Sequence, residues 1–230
     1  MDCGERIASG CSSLDDLLGG GLERGTVSQV YGPPAAGKTN LALVFSINTV
    51  ASGGRVYYID TEGFSPDRFD QLIGTHGSGV DSDRFLRTQA HDFEEQREAV
   101  KDAERVASKM DLIVLDSATG FYRLERADDA REGDALRAVT KQVTHLLSLA
   151  RKNDLAVLIT NQVYTDPEAE QARPLGGHTL AHWSGTILRL QRFRGDRRRA
   201  SLEKHRSQPT GDHAAFKITE SGIESETVHR

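Results

Sequence analysis

The sequence predicts an α/β fold: a mostly parallel central sheet with helices on both faces, finished by antiparallel strands towards the C-terminus. Three observations carry this. Residues 56–59, 112–115 and 156–159 are continuous apolar runs of strand length, stopping at or near Asp60, Asp116 and Asn161. Helical patterning fills the intervals at 93–108 and 133–151. From Gly185 onward the pattern changes to hairpins. Strands covered on both faces read as unbroken apolar runs, and helical crossovers between them imply parallel pairing.

Taken in order, residues 26–31 form a short strand that enters a glycine-rich turn. Residues 38–51 carry Leu41, Val44, Phe45 and Ile47 at helical spacing. The strand at 56–59 ends at Asp60, the next at Asp116, and the third near Asn161. Hairpin strands follow at 186–193, 200–205 and 214–219, the first pair joined through Gly195-Asp196.

A chain of 230 residues with 37% hydrophobic and 27% charged residues suits one large α/β domain spanning 1–230. Its longest apolar tracts, such as 155–159, are strand-sized, far short of the roughly 18 residues of a membrane helix, so no membrane role is expected. Residues 1–10 lack the basic and apolar regions of a signal peptide. Cys3 and Cys11 cannot define a disulfide framework, which predicts a reduced, cytoplasmic setting. The net charge of −5 points to no polyanion, but its distribution is uneven. Acidic residues crowd between Asp92 and Asp134, while Arg189, Arg192, Arg194, Arg197, Arg198, Arg199, Lys204 and Arg206 outnumber Asp196 and Glu203.

The strongest motif is Gly32-Pro33-Pro34-Ala35-Ala36-Gly37-Lys38-Thr39, which fits GxxxxGK[ST] with a strand before it and a helix after. Its glycines let backbone N–H groups turn inward around phosphates. Lys38 can bridge the terminal phosphates of ATP, Thr39 can ligate Mg²⁺, and Asn40 continues the positive helix N-terminus. Asp116 ends a buried strand beside this loop, where it would hold the Mg²⁺ water shell. Glu62, in Asp60-Thr61-Glu62-Gly63, is placed to act as a general base on the water attacking the γ-phosphate, or is an exposed loop carboxylate. Asp60 reads as a structural strand end. Gln162 ends the next strand, where its amide could sense the γ-phosphate and signal to the following loop, or simply satisfy a strand terminus.

Leu14-Asp15-Asp16-Leu17-Leu18-Gly19-Gly20-Gly21, the phosphate loop, Ile59-Asp60-Thr61-Glu62-Gly63, Asp116-Ser117-Ala118-Thr119, Thr160-Asn161-Gln162-Val163 and Pro174-Leu175-Gly176-Gly177 fall in one order. In this order the chain resembles the RadA/RecA-type recombinases along nearly its whole length. The resemblance implies a RecA-type P-loop NTPase core that binds ATP and Mg²⁺. It implies a mobile DNA-binding loop within 160–177 and a second near Arg123, Arg126 and Arg131. Arg68 matches the arginine that packs on adenine.

Two departures narrow this expectation. The core begins within about a dozen residues of Met1, so the family's N-terminal helical domain and polymerisation segment are expected to be missing. Lys204-His205-Arg206 is similar to a Lys-x-Arg element of a short archaeal paralogue and of KaiC-like ATPases, which suggests that Lys204 and Arg206 either reach the γ-phosphate of a neighbouring subunit or extend the solvated basic face. The resemblance then implies a recombination and repair accessory protein with weak hydrolysis. Its implied partners are DNA, single-stranded by preference, a RadA-type recombinase, other recombination proteins and further copies of itself. Arg197, Arg198 and Arg199 are candidate DNA contacts, since phosphate neutralisation drives such binding, or one solvated hairpin face. A KaiC-like ATPase or kinase without a DNA role and an autonomous filament-forming recombinase are the alternatives.

Overall fold

Short apolar segments that end in a polar residue become strands because only a sheet centre buries every side chain of a five-residue run. A computed structural model describes residues 6–75, 80–122, 132–165 and 172–226. Five parallel strands come first along the chain: β1 (Val27–Tyr31), β2 (Val56–Asp60), β3 (Phe85–Gln89), β4 (Leu112–Asp116) and β5 (Ala156–Asn161). A small hairpin, β6 (Val163–Thr165) with β7 (Ala172–Pro174), follows. The chain then returns through β8 (Thr186–Arg192), β9 (Arg197–Lys204), β10 (His213–Thr219) and β11 (Gly222–Ser225). These pair in the order β11-β10-β9-β8-β1-β5-β4-β2-β3. From β8 to β3 the neighbours are parallel, and the four strands from β8 to β11 are antiparallel.

Strand alternation sends successive residues to opposite faces. Val30, Tyr58, Val114 and Leu158 meet α1 (Ser12–Leu17), α2 (Lys38–Ala51) and α3 (Pro66–Thr75) through Leu14, Leu41, Phe45 and Leu72. Ile59, Ile113, Leu115 and Val157 meet α4 (Phe93–Val106), α5 (Glu132–Asn153) and α6 (Gly177–Trp183) through Val100, Val143, Leu146 and Leu180. The mostly parallel sheet with helices on both faces and C-terminal antiparallel strands is the architecture the sequence predicts. No helix among the described residues is long and apolar enough to cross a membrane.

Two elements carry no clear signal in the sequence. β3 is an edge strand with partly or fully exposed side chains, so its residues mix charge with hydrophobicity. α3 starts at Pro66 with polar residues and buries only Leu72 fully. β9 also starts earlier than expected, at Arg197 rather than at 200, so three consecutive arginines lie within a strand.

The parallel strands end together at one edge. Tyr31 is level with Asn161 and Asp60 with Asp116, and the phosphate loop, Glu62 and Gln162 follow directly on these positions. Open α/β sheets bind ligands outside the carboxyl ends of their strands.

Candidate functional site

β1 runs into the phosphate loop under tight steric limits. A Cβ on Gly32 would lie 2.4 Å from the Leu190 carbonyl oxygen of β8, so only glycine lets the loop pass this close. Ala35 takes φ +58°, a left-handed conformation that costs a residue with a Cβ about 1 kcal/mol. Ala36 is fully buried, and Gly37 turns at φ +100° to cap α2 with no side-chain partner for the helix's first N–H groups. Those N–H groups and the helix dipole present positive charge to the space in front of them.

Lys38 is 9% exposed. Its Nζ donates to the Gly32 and Pro33 carbonyl oxygens at 3.0 and 3.2 Å. Burial pushes the ammonium pKa down, with Glu62 and Asp116 opposing the shift. A desolvated cation beside the uncapped N-terminus of α2 has the chemistry to receive a phosphate.

Asp116 is 1% exposed, and its carboxylate accepts from the Tyr58 hydroxyl at 2.7 Å and from the Thr160 hydroxyl. Burial pushes this carboxyl up, and bonds from Thr160, Tyr58 and Thr39 pull it back. Thr39, at the start of α2, and Asp116, at the end of β4, are the two residues that would share a Mg²⁺ ion.

The loop after β2 is held by Asp60, whose carboxylate accepts from the backbone N–H groups of Glu62, Gly63 and Phe64 and pairs with Arg87 at 2.6 Å. Asp60 is structural, as expected. Thr61 ties the loop to the end of β4, its N–H donating to the Asp116 carbonyl at 2.7 Å and its hydroxyl to the Ser117 carbonyl at 3.1 Å. Glu62 thus points over the phosphate loop, and the Gln162 amide donates to its Oε1 at 2.6 Å. Gln162 also accepts the Leu175 N–H through its carbonyl at 2.9 Å, and the neighbouring Asn161 donates to the Leu175 carbonyl at 2.8 Å. The base of the β6–β7 hairpin is bonded directly to the candidate catalytic carboxylate.

Gly32, Pro34, Ala35, Gly37, Lys38, Thr39, Asn40, Glu62 and Gln162 line one cavity of about 470 Å³, joined by Val163, Arg198 and Ile218. Arg68 stands behind it. Its Nε donates to Asn40 Oδ1 at 2.8 Å and its other nitrogens to the Glu220 and Gly222 carbonyls, which fixes the guanidinium beside the β10–β11 turn.

The three arginines of β9 do not form one face. Arg197 is exposed and pairs with Glu226 at 2.6 Å, and Arg199 lies 4.8 Å from the Phe193 ring centroid. Arg198 points the other way, 8% exposed, into the cavity. Alternation along the strand buries Arg198 between its two neighbours, although all three border a shallow cavity with Phe193 and Glu226. Arg123, Arg126 and Arg131 lie outside the described residues.

Lys204 and Arg206 lie elsewhere. Lys204 pairs with Ile187 near the start of β8, five residues back from Arg192, which pairs with Arg198 by the phosphate loop. That separates them by roughly 15 Å of strand. Lys204 Nζ donates to the Ala181 carbonyl at 2.7 Å and Arg206 pairs with Glu23 at 3.4 Å. With Arg151, His182 and Trp183 they line a second cavity of about 270 Å³.

Comparison with known proteins agrees with this architecture. The family model described as Rad51 matches residues 5–226. The DNA repair and recombination protein RadB of Halobacterium salinarum is 58% identical over 223 residues, covering 95% of this chain and 94% of that protein. The protein of the same name from Methanococcoides burtonii is 41% identical over 220 residues, covering 95% and 97%. A solved structure described as the RadB recombinase is 39% identical with a TM-score of 0.81, covering 96% of this chain and all of that one. A RecA-type sheet, its phosphate loop and these identities place the chain in the Rad51 family, within the RadB group.

Proposed function

We propose that this chain is a DNA repair and recombination protein that binds ATP with Mg²⁺ and binds DNA, single-stranded by preference, in support of a RadA-type recombinase. The single observation behind this reading is the Gln162–Glu62 hydrogen bond, which links a cavity lined by the phosphate loop to the base of the β6–β7 hairpin. The resemblance to recombinases implies a DNA-binding loop in this part of the chain. Repair and recombination are also what the RadB relatives are named for.

In this reading the N–H groups at the start of α2 and the Lys38 ammonium hold the phosphates. Thr39 and, through water, Asp116 would hold Mg²⁺, and the ion would supply positive charge beside the phosphate oxygens. Glu62 accepts a proton from water as its oxygen bonds to the γ-phosphorus and the bond to the leaving ADP oxygen breaks. Gln162 restrains Glu62 until the hairpin moves, so that hydrolysis is slow and tied to DNA. Lys204 and Arg206 serve a neighbouring copy, and the setting is cytoplasmic.

The test is a filter-binding titration of single-stranded and duplex DNA, with and without ATP and across a range of salt. ATP-dependent binding that falls steeply with salt supports the reading. ATP binding with no DNA retention at low salt would sink the DNA role and favour a KaiC-like ATPase.

A further inference from the structure

The β8–β9 hairpin delivers a cation to the candidate nucleotide cavity that no phosphate-loop motif contains. Alternation along β9 turns Arg197 and Arg199 away and drives Arg198 inward, to 8% exposure. Its Nη1 is satisfied by the Gly195 and Arg197 carbonyl oxygens at 3.0 and 2.9 Å. Its Nε is buried and has no hydrogen-bond partner among the described residues. That nitrogen lies 3.6 Å from where a Cβ on Gly37 would stand, so the guanidinium abuts the residue that caps α2. Ile218 packs on the same side and shares the cavity lining.

A buried guanidinium with an orphaned N–H is costly unless an anion completes it. The burden here is visible: burial lowers the Arg198 pKa, the nearby Arg192 adds to the shift, and Asp196 opposes it. Among the described residues lining the cavity, the only carboxylate is Glu62. It lies on the opposite flank, beyond β1 and β5, bonded to Gln162. The missing anion is therefore a ligand.

We propose that Arg198 is a nucleotide-binding residue that pairs with the α/β-diphosphate shared by ATP and ADP. The inference rests on the nucleotide-site reading above and adds a contact to it. The sheet order decides which phosphates are met. Asp116, Glu62 and Gln162 approach the phosphate loop from the β5–β4–β2 side, where hydrolysis would occur, whereas Arg198 arrives from the β8–β9 side. A cation on that flank contacts the part of the nucleotide that survives hydrolysis.

The experiment measures ADP and ATP affinity and nucleotide-induced thermal stabilisation for the wild type, Arg198→Gln, Arg198→Lys and Lys38→Ala. Arg198→Gln should weaken ADP and ATP by the same factor, roughly tenfold to a hundredfold for a charge-assisted bond. Without nucleotide it should melt near the wild type, because the two carbonyl bonds it loses are offset by removal of a buried charge whose Nε has no partner among the described residues. Arg198→Lys keeps the charge and should retain most of the affinity, which guards against a folding defect in the glutamine variant. A loss confined to ATP would overturn the assignment in favour of a γ-phosphate contact. Unchanged ADP affinity, with Lys38→Ala still abolishing it, would overturn this inference and leave the nucleotide site standing. No ADP or ATP binding by the wild type would overturn both. A reduced salt slope for DNA in Arg198→Gln, with ADP affinity intact, would return Arg198 to the DNA surface.

Discussion

The side-chain amide of Gln162 donates to Glu62 Oε1 at 2.6 Å, joining residues one hundred positions apart at the edge where β2 and β5 end. This bond fixes the carboxylate beside the phosphate loop and ties it to the base of the β6–β7 hairpin. Glu62→Gln should therefore keep nucleotide affinity and lose about a hundredfold or more in turnover. Gln162→Ala should keep nucleotide affinity too, but reduce the difference between DNA-stimulated and basal hydrolysis. Steady-state phosphate release with and without single-stranded DNA separates the two. Equal stimulation in Gln162→Ala and wild type would remove the amide from the coupling.

Lys38 offers a different contrast between binding and stability. Its ammonium is held by two loop carbonyls and is desolvated, so its removal relieves a burial cost while it deletes the main phosphate contact. Lys38→Ala should lower ATP affinity roughly a hundredfold or more. Its far-ultraviolet circular dichroism and melting temperature without nucleotide should stay near those of the wild type. An unchanged ATP affinity in the folded variant would defeat the site assignment.

These residues show what a sequence can and cannot reveal. The phosphate loop, Asp116 and the strand ends were legible because each is a local pattern with one steric or electrostatic cause. The helix from Lys38 to Ala51 was legible because its apolar spacing lies over a buried face. β3 was not, because an edge strand has little to bury. The inward turn of Arg198 required knowing that β9 starts at Arg197, since a shift of one residue reverses every side chain. The bond between Gln162 and Glu62 could not be read at all. It depends on β2, β4 and β5 ending side by side, which only the assembled sheet provides.

The outward-facing arginines of β9, Arg197 exposed and Arg199 half-buried, make a narrower DNA prediction than the sequence alone allowed. Arg197 and Arg199 remain on the outer face, the first beside Glu226 and the second over the Phe193 ring. Changing both to alanine should flatten the log–log salt dependence of DNA binding by roughly 0.7 to 0.9 for each phosphate no longer neutralised. The measurement is the slope of DNA affinity against salt concentration, with Arg198 left intact. An unaltered slope would move the interface away from this hairpin, with Arg123, Arg126 and Arg131 the next set to change.

Lys204 and Arg206 are too far along β8 and β9 to serve their own phosphate loop, yet both line one cavity with Arg151, His182 and Trp183. Their present partners are modest: a backbone carbonyl for Lys204, and for Arg206 a Glu23 carboxylate at 3.4 Å. Exposed pairs of this kind are worth at most about 1 kcal/mol, so an incoming phosphate can displace them. If these cations act across a subunit boundary, the double variant Lys204→Ala/Arg206→Ala should bind ATP with near-normal affinity but lose turnover. Mixing it with Lys38→Ala chains should then restore part of the activity. One interface of the mixed assembly joins an intact phosphate loop on one copy to intact cations on the other. The assay is phosphate release as a function of mixing ratio, with co-assembly checked by sedimentation. A flat response in a mixture that co-assembles would confine Lys204 and Arg206 to the surface of their own chain.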